Sequence, residues 1–205
     1  MTQKITNNSN TLFTLFGKGY WSKRAQKYVP STKPYMNVDV AWAGDYILSE
    51  RAKSQTLELR QMMSTATDQQ LRDYKLVQFD AVAAAGVFSY GNADGLMVRS
   101  PYIVIDVDDL DSTDEAREIQ QTLINDKEVV TALCFVSPKG LGVKWWAELP
   151  EWCMNIEFDK QYEALSRYIG YTYGIQADLT CSNVNRLCFL PYDPQCYIHP
   201  KYLTN

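Results

Sequence analysis

The run Pro101-Tyr102-Ile103-Val104-Ile105-Asp106-Val107 constrains this chain more than any other feature, because it ends directly in the acids Asp108, Asp109 and Asp111. A short β-branched run with proline before it and acids after it predicts a buried strand. Ser112-Thr113-Asp114-Glu115 follows in the form of a capping box, and Ala116, Ile119, Leu123 and Ile124 then recur at helical spacing. Residues 129–136 predict a second strand, Ser137-Pro138-Lys139-Gly140-Leu141-Gly142 a glycine-containing turn, and residues 143–149 a third strand. Strand, helix, strand, tight turn and strand predict an α+β fold. Its sheet is mixed or antiparallel, contains a hairpin and carries packed helices.

The flanking segments are read the same way. Residues 46–63 carry Ile47, Leu48, Leu57, Leu59 and Met62 among charged residues and predict one helix, with a short helical turn at 67–74. Residues 79–87 are small and apolar and read as a partly buried connector leading to the turn residues Ser89 to Asn92. Residues 158–173 predict a helix stopped by Gly174, and residues 186–190 a short strand ended by Pro191 and Pro194. Up to about Pro34 the chain mixes Lys18, Lys23, Arg24 and Lys27 with Phe16, Tyr20, Trp21 and Tyr28. Such an arm either stacks on bases or is pinned to the domain by its rings. The domain expectation is an N-terminal arm and helical extension at 1–78, packed on a core at 79–205 as one compact unit.

Composition narrows the function classes. A net charge of −4 argues against a protein that coats nucleic acid through bulk charge, so any such contact must be local. No apolar run reaches membrane-helix length and the polar start lacks the order of a secretory signal, so a cytoplasmic protein with no membrane partner is expected. Five cysteines without a CxxC pair predict reduced thiols. Cys181, Cys188, Cys196 and His199 are either buried structural groups or, at irregular spacing, a zinc set.

Three segments carry candidate chemistry. Alternation along a strand puts Asp106 and Asp108 on one side, where two carboxylates either hold magnesium or manganese or remain solvated acids near a helix N-terminus. The turn from Ser137 to Lys144, with Lys139, Gly140 and Gly142, either seats a triphosphate or is an ordinary hairpin turn; it lacks Walker spacing. Asp178 and Arg186 are either an acid and a phosphate-binding guanidinium or a structural salt bridge.

Taken in this order, the segments resemble the archaeo-eukaryotic primase superfamily, and within it the VirE N-terminal (BT-type primase-like) domain. IVIDVDDL, with Asp106 and Asp108, resembles the first motif; FVSPKGLGVKWW resembles the second, Ser-x-x-Gly-x-Gly-x and a basic residue. IQADLTCSNVNRLCFLPYDP, with Asp178 and Arg186, resembles the third. The resemblance spans about residues 79–194 and is most specific at its tail, from Arg186 through Tyr192-Asp193-Pro194.

The resemblance implies an RRM-like sheet core with a small N-terminal α/β extension and a metal-dependent nucleotidyltransferase of primase-polymerase type. Asp106, Asp108 and Asp178 would ligate Mg2+ or Mn2+ and act as the catalytic acids. Ser137, Lys139, Gly140, Gly142, Lys144 and Arg186 would bind the nucleotide. Implied partners are nucleoside triphosphates, a single-stranded or primed DNA template, and a fused or separate helicase. Two departures stand out: Lys144 occupies the place where most of the superfamily has histidine, and Lys139 a place that often holds serine. Rival expectations are a nucleic-acid- or nucleotide-binding module without turnover, and a nuclease using the same acids.

Overall fold

The computed structural model describes residues 11–203, and among them no helix is long and apolar enough to cross a membrane. The chain opens with β1 (Phe13–Phe16), all four of whose residues are buried, then a two-stranded hairpin of β2 (Tyr20–Ser22) and β3 (Lys27–Val29), then β4 (Pro34–Val38). Asp39 caps α1 (Val40–Leu48) by accepting from Trp42 N at 2.9 Å. The single helix expected over 46–63 is in fact broken. Ser49 is extended at φ −73° and ψ 158°, its hydroxyl donates to Tyr46 O at 2.7 Å, and a 3-10 turn at Glu50–Ala52 precedes α2 (Lys53–Met62). Serine competes for backbone partners in this way and so ends helices. A Thr67–Gln70 capping box starts α3 (Asp68–Gln78), longer than the turn expected there.

Residues 79–87 are not a connector. They form β5 (Ala81–Ala83) and β6 (Gly86–Phe88), and β6 pairs with β7 (Leu96–Arg99). The expected strand–helix–hairpin unit follows as β8 (Tyr102–Val107), α4 (Thr113–Ile124), β9 (Val130–Val136) and β10 (Val143–Glu148). Ser112 accepts from Glu115 N at 3.1 Å, while the Glu115 carboxylate accepts from Asp111 N at 2.8 Å, one residue earlier than a standard box. Next comes α5 (Phe158–Tyr173), which ends on Gly174 at φ 72°, the left-handed position the sequence assigns to it. The last strands are short: β11 (Cys188–Phe189), trimmed from the expected 186–190, and β12 (Tyr197–Ile198).

Two four-stranded antiparallel sheets result, ordered β11-β5-β1-β4 and β12-β9-β10-β8. In the second, β10 lies antiparallel between β8 and β9, which makes a split β-α-β unit, and β12 closes the β9 edge. Alternation gives this sheet two apolar faces. Ile103, Ile105, Val143 and Trp145 pack on α4 and α5; Tyr102, Leu133, Phe135 and Trp146 pack on α1 and the first sheet, through Phe13, Val40, Ile47 and Val82. The first sheet therefore covers the face of the second that α4 and α5 leave open.

Asp193 ties the tail into this core. It is fully buried and pairs with Arg117 of α4 through two bonds of 2.9 and 2.5 Å, while also accepting from Val136 N at 2.7 Å and Gln195 N at 3.0 Å. Four donors satisfy a carboxylate that would be costly to bury alone.

Candidate functional site

The site forms where β8 ends. Antiparallel register places Lys144 of β10 directly opposite Asp106 of β8, with their side chains on one face. The Lys144 ammonium contacts Asp106 Oδ1 and lies 3.7 Å from Asp108 Oδ1. Asp178, far along the chain, is pinned by its backbone: its N–H donates to Asp106 O at 2.8 Å, and Tyr162 of α5 donates to its carbonyl at 2.7 Å. Its carboxylate accepts from Thr180 N at 2.9 Å, Thr180 Oγ1 at 2.8 Å and the Cys181 thiol at 3.2 Å. The same thiol lies 3.6 Å from Asp106 Oδ2. Asp106, Asp108 and Asp178 thus share one wall, bridged by an ammonium and a thiol.

The turn beside them is shaped by two glycines for different reasons. At Gly140 the backbone is left-handed (φ 86°); its N–H donates to Ser137 O at 2.9 Å, so that amide is used within the turn. At Gly142 the reason is space, since a Cβ would stand 2.5 Å from Val107 O and 2.8 Å from Asp108 Oδ1. The turn is clamped from outside by Thr113 Oγ1, which donates to Gly140 O at 3.0 Å, and by Arg60 of α2, which donates to Pro138 O at 3.3 Å and Ser137 O at 3.4 Å. Asp109 is left-handed as well (φ 58°), a conformation aspartate tolerates better than most residues.

These groups line an open cleft of about 1250 Å³. It is lined by Asp106, Asp108, Asp109 and Asp178 and by the cations Lys139, Lys144 and Arg186, together with Arg72 and Lys75 of α3. Arg186 also donates to Thr180 O. Ser137 is buried on the wall. Sequence reasoning missed Arg60, Arg72 and Lys75. Each is one cation among many on helices that read only as amphipathic, and the single available signal was position on a helix face.

Charge is costly in this cleft. Burial first, then Asp109 and Asp178, push the Asp108 carboxyl above its usual range against the pull of Lys75 and Lys139. Burial likewise lowers the Lys144 ammonium to about 8 and lowers Lys75. For Asp178, burial pushes upward, but the Thr180 hydroxyl and amide outweigh it and hold the carboxyl below the usual range. Burial and the bond to Asp178 raise the Cys181 thiol to about 11, which keeps it protonated and able to donate.

Among the described residues, no three His, Cys, Asp or Glu side chains stand gathered around a common point as metal ligands would. The zinc alternative is not formed: Cys181 faces Asp178, Cys196 is buried near Cys134, and His199 accepts from Lys201 N at 3.2 Å to cap a C-terminal turn. All five cysteines are free thiols. For the three aspartates, the donor chemistry suits a hard divalent cation: they share one wall, and Asp108 bears a charge penalty that a cation would relieve. Lys144 now supplies positive charge at that place.

No curated protein and no solved structure matches this chain. The model of one protein family, the BT4734-like N-terminal domain, matches residues 76–198, more than half of the chain. That span contains every site residue expected from the sequence, whereas Arg60, Arg72 and Lys75 precede it. The chain belongs to the BT4734-like N-terminal domain family.

Proposed function

We propose that the chain is a nucleotidyltransferase of primase-polymerase type that adds nucleotides to a 3′-hydroxyl on a nucleic-acid template. The observation that carries this reading is the composition of the cleft: Asp106, Asp108 and Asp178, brought from two distant segments, line it together with five cations. That is the electrostatic pattern a metal-bound triphosphate requires, acids for the cation and cations for the phosphates. Asp106, Asp108 and Asp178 would hold Mg2+ or Mn2+, which when bound lowers the pKa of the attacking hydroxyl and neutralises charge on the phosphates. Lys139, Lys144, Lys75, Arg72 and Arg186 would hold the phosphates, and Ser137 would face them from the turn. Catalysis here is positioning and charge stabilisation, with no covalent chemistry by the protein.

Changing Asp106 and Asp108 together to alanine is expected to abolish metal-dependent incorporation of labelled nucleotides on primed and unprimed templates. Undiminished incorporation by that variant would overturn the proposal.

The contact between Lys144 and Asp106 favours a second reading, a binding module without turnover, because the ammonium stands where a cation would act. Calorimetric titration separates the two. An enzyme binds nucleotide more tightly when manganese is present, whereas the module shows no such dependence.

A further inference from the structure

The region 11–38 carries five basic residues and no acid, in a chain whose net charge is −4. All five, Lys18, Lys23, Arg24, Lys27 and Lys33, are exposed, and none is in an ion pair among the described residues. Lys23 and Arg24 occupy the tip of the β2–β3 hairpin, whose turn closes through Gln26 in the left-handed region (φ 50°). Four rings accompany them in the open: Tyr20, Trp21, Tyr28 and, beyond the hairpin, Tyr35. Trp21 and Tyr28 pair directly across the two strands, edge to face at 5.1 Å between centroids, so one face of the hairpin is aromatic while its tip is cationic.

The hairpin is anchored. Gly19 N–H donates to Leu76 O of α3 at 2.6 Å, and a Cβ at Gly19 would stand 2.5 Å from Val29 O and 2.9 Å from Leu76 O, so glycine permits the seat. Between Tyr28 and the α2–α3 pair lies an open groove of about 510 Å³, with Met62, Tyr74 and Val77 on its far wall. Helix α3 borders both places, because its Arg72 and Lys75 line the cleft. Helix α3 thus stands between the hairpin groove, which its Tyr74 and Val77 line together with Asp73, and the cleft, which its Arg72 and Lys75 line.

We propose that the β2–β3 hairpin is a docking arm for single-stranded nucleic acid, with bases stacking on the face of Trp21 and Tyr28 and phosphates meeting Lys23, Arg24 and Lys27. Unpaired cations select a polyanion, and exposed rings select unstacked bases, which a duplex keeps inside its stack. In its choice of partner this rests on the nucleotidyltransferase reading. The binding itself requires neither metal nor turnover.

The test is fluorescence anisotropy of a labelled oligothymidine with the full chain, in EDTA and across a salt series. The double variant Trp21→Ala/Tyr28→Ala should bind about tenfold or more weakly, while Trp21→Phe retains most of the affinity. Lys23→Gln/Arg24→Gln should flatten the dependence of log affinity on log salt by about 0.7 per charge removed. Circular dichroism melts confirm that each variant is folded. Binding and nucleotide incorporation are read separately on the same hairpin variants, which keeps the two proposals separable. Hairpin variants that bind like the parent overturn the arm even if nucleotides are incorporated. Hairpin-dependent binding without incorporation supports the arm and counts against the nucleotidyltransferase. Equal competition by duplex overturns the single-strand assignment, and hairpin-dependent capture of a protein with no oligothymidine binding overturns the arm's chemistry.

Discussion

Asp193 shows how a residue's role depends on what surrounds it. The tail Tyr192-Asp193-Pro194 carries the most specific part of the resemblance, yet Asp193 touches nothing in the cleft. It is buried against Arg117, Val136 N and Gln195 N, locking the tail across α4 and β9. Arg117→Ala would leave a buried carboxylate with only two backbone donors. We expect a loss of about 3–5 kcal/mol of stability in urea unfolding, with any residual folded protein keeping its cleft acids in place. Gly142 is the converse case. It was singled out as a phosphate-facing glycine, and the structure gives it a role in letting the turn approach Val107 O and Asp108. A spacing motif names such residues without saying which atoms they must clear.

Among the elements, α4, β9 and α5 are joined by one polar knot. Burial alone would push the Asp126 carboxyl up. The amide of Val129 and the hydroxyls of Tyr173 and Tyr168, with a further amide from Glu128, outweigh burial and hold it below the usual range. Because the native carboxyl is the stronger acid, its contribution is fully present above the unfolded-state value of about 3.9 and is lost as pH falls through the lower native value. Asp126→Asn should therefore lower the urea midpoint at neutral pH and flatten its fall below about pH 4, where the parent loses this contribution anyway. An equally steep acid limb in the variant would count against the assignment. The strands and helices between residues 101 and 174 were legible because their apolar periods are long and their caps explicit. The break at Ser49 and the short strands β5 and β6 were not. A three-residue strand has too little period to be seen, and an alanine run fits a buried strand as well as a connector.

For the molecule as a whole, β1 is an interior strand, paired with β4 on one side and β5 on the other, and Phe13, Leu15 and Phe16 are buried. A fragment beginning at residue 79 would expose the face of Val82 and Tyr102 that β1 and α1 cover, and would lose the α3 cations of the cleft. Expressed alone, it should show no cooperative thermal transition by near-ultraviolet circular dichroism; a sharp native-like melt would contradict this. The sequence by itself determined the β8–α4–β9–β10 unit, the helix before Gly174 and the acids and lysines of its turns, since each depends on local period, capping and turn chemistry. Only the tertiary structure decided that Asp178 stands beside Asp106, that Lys144 contacts it, that Arg72 and Lys75 line the cleft, and that Arg60 clamps its turn. Those placements come from backbone pairing and packing between segments far apart in the chain, which no local pattern encodes.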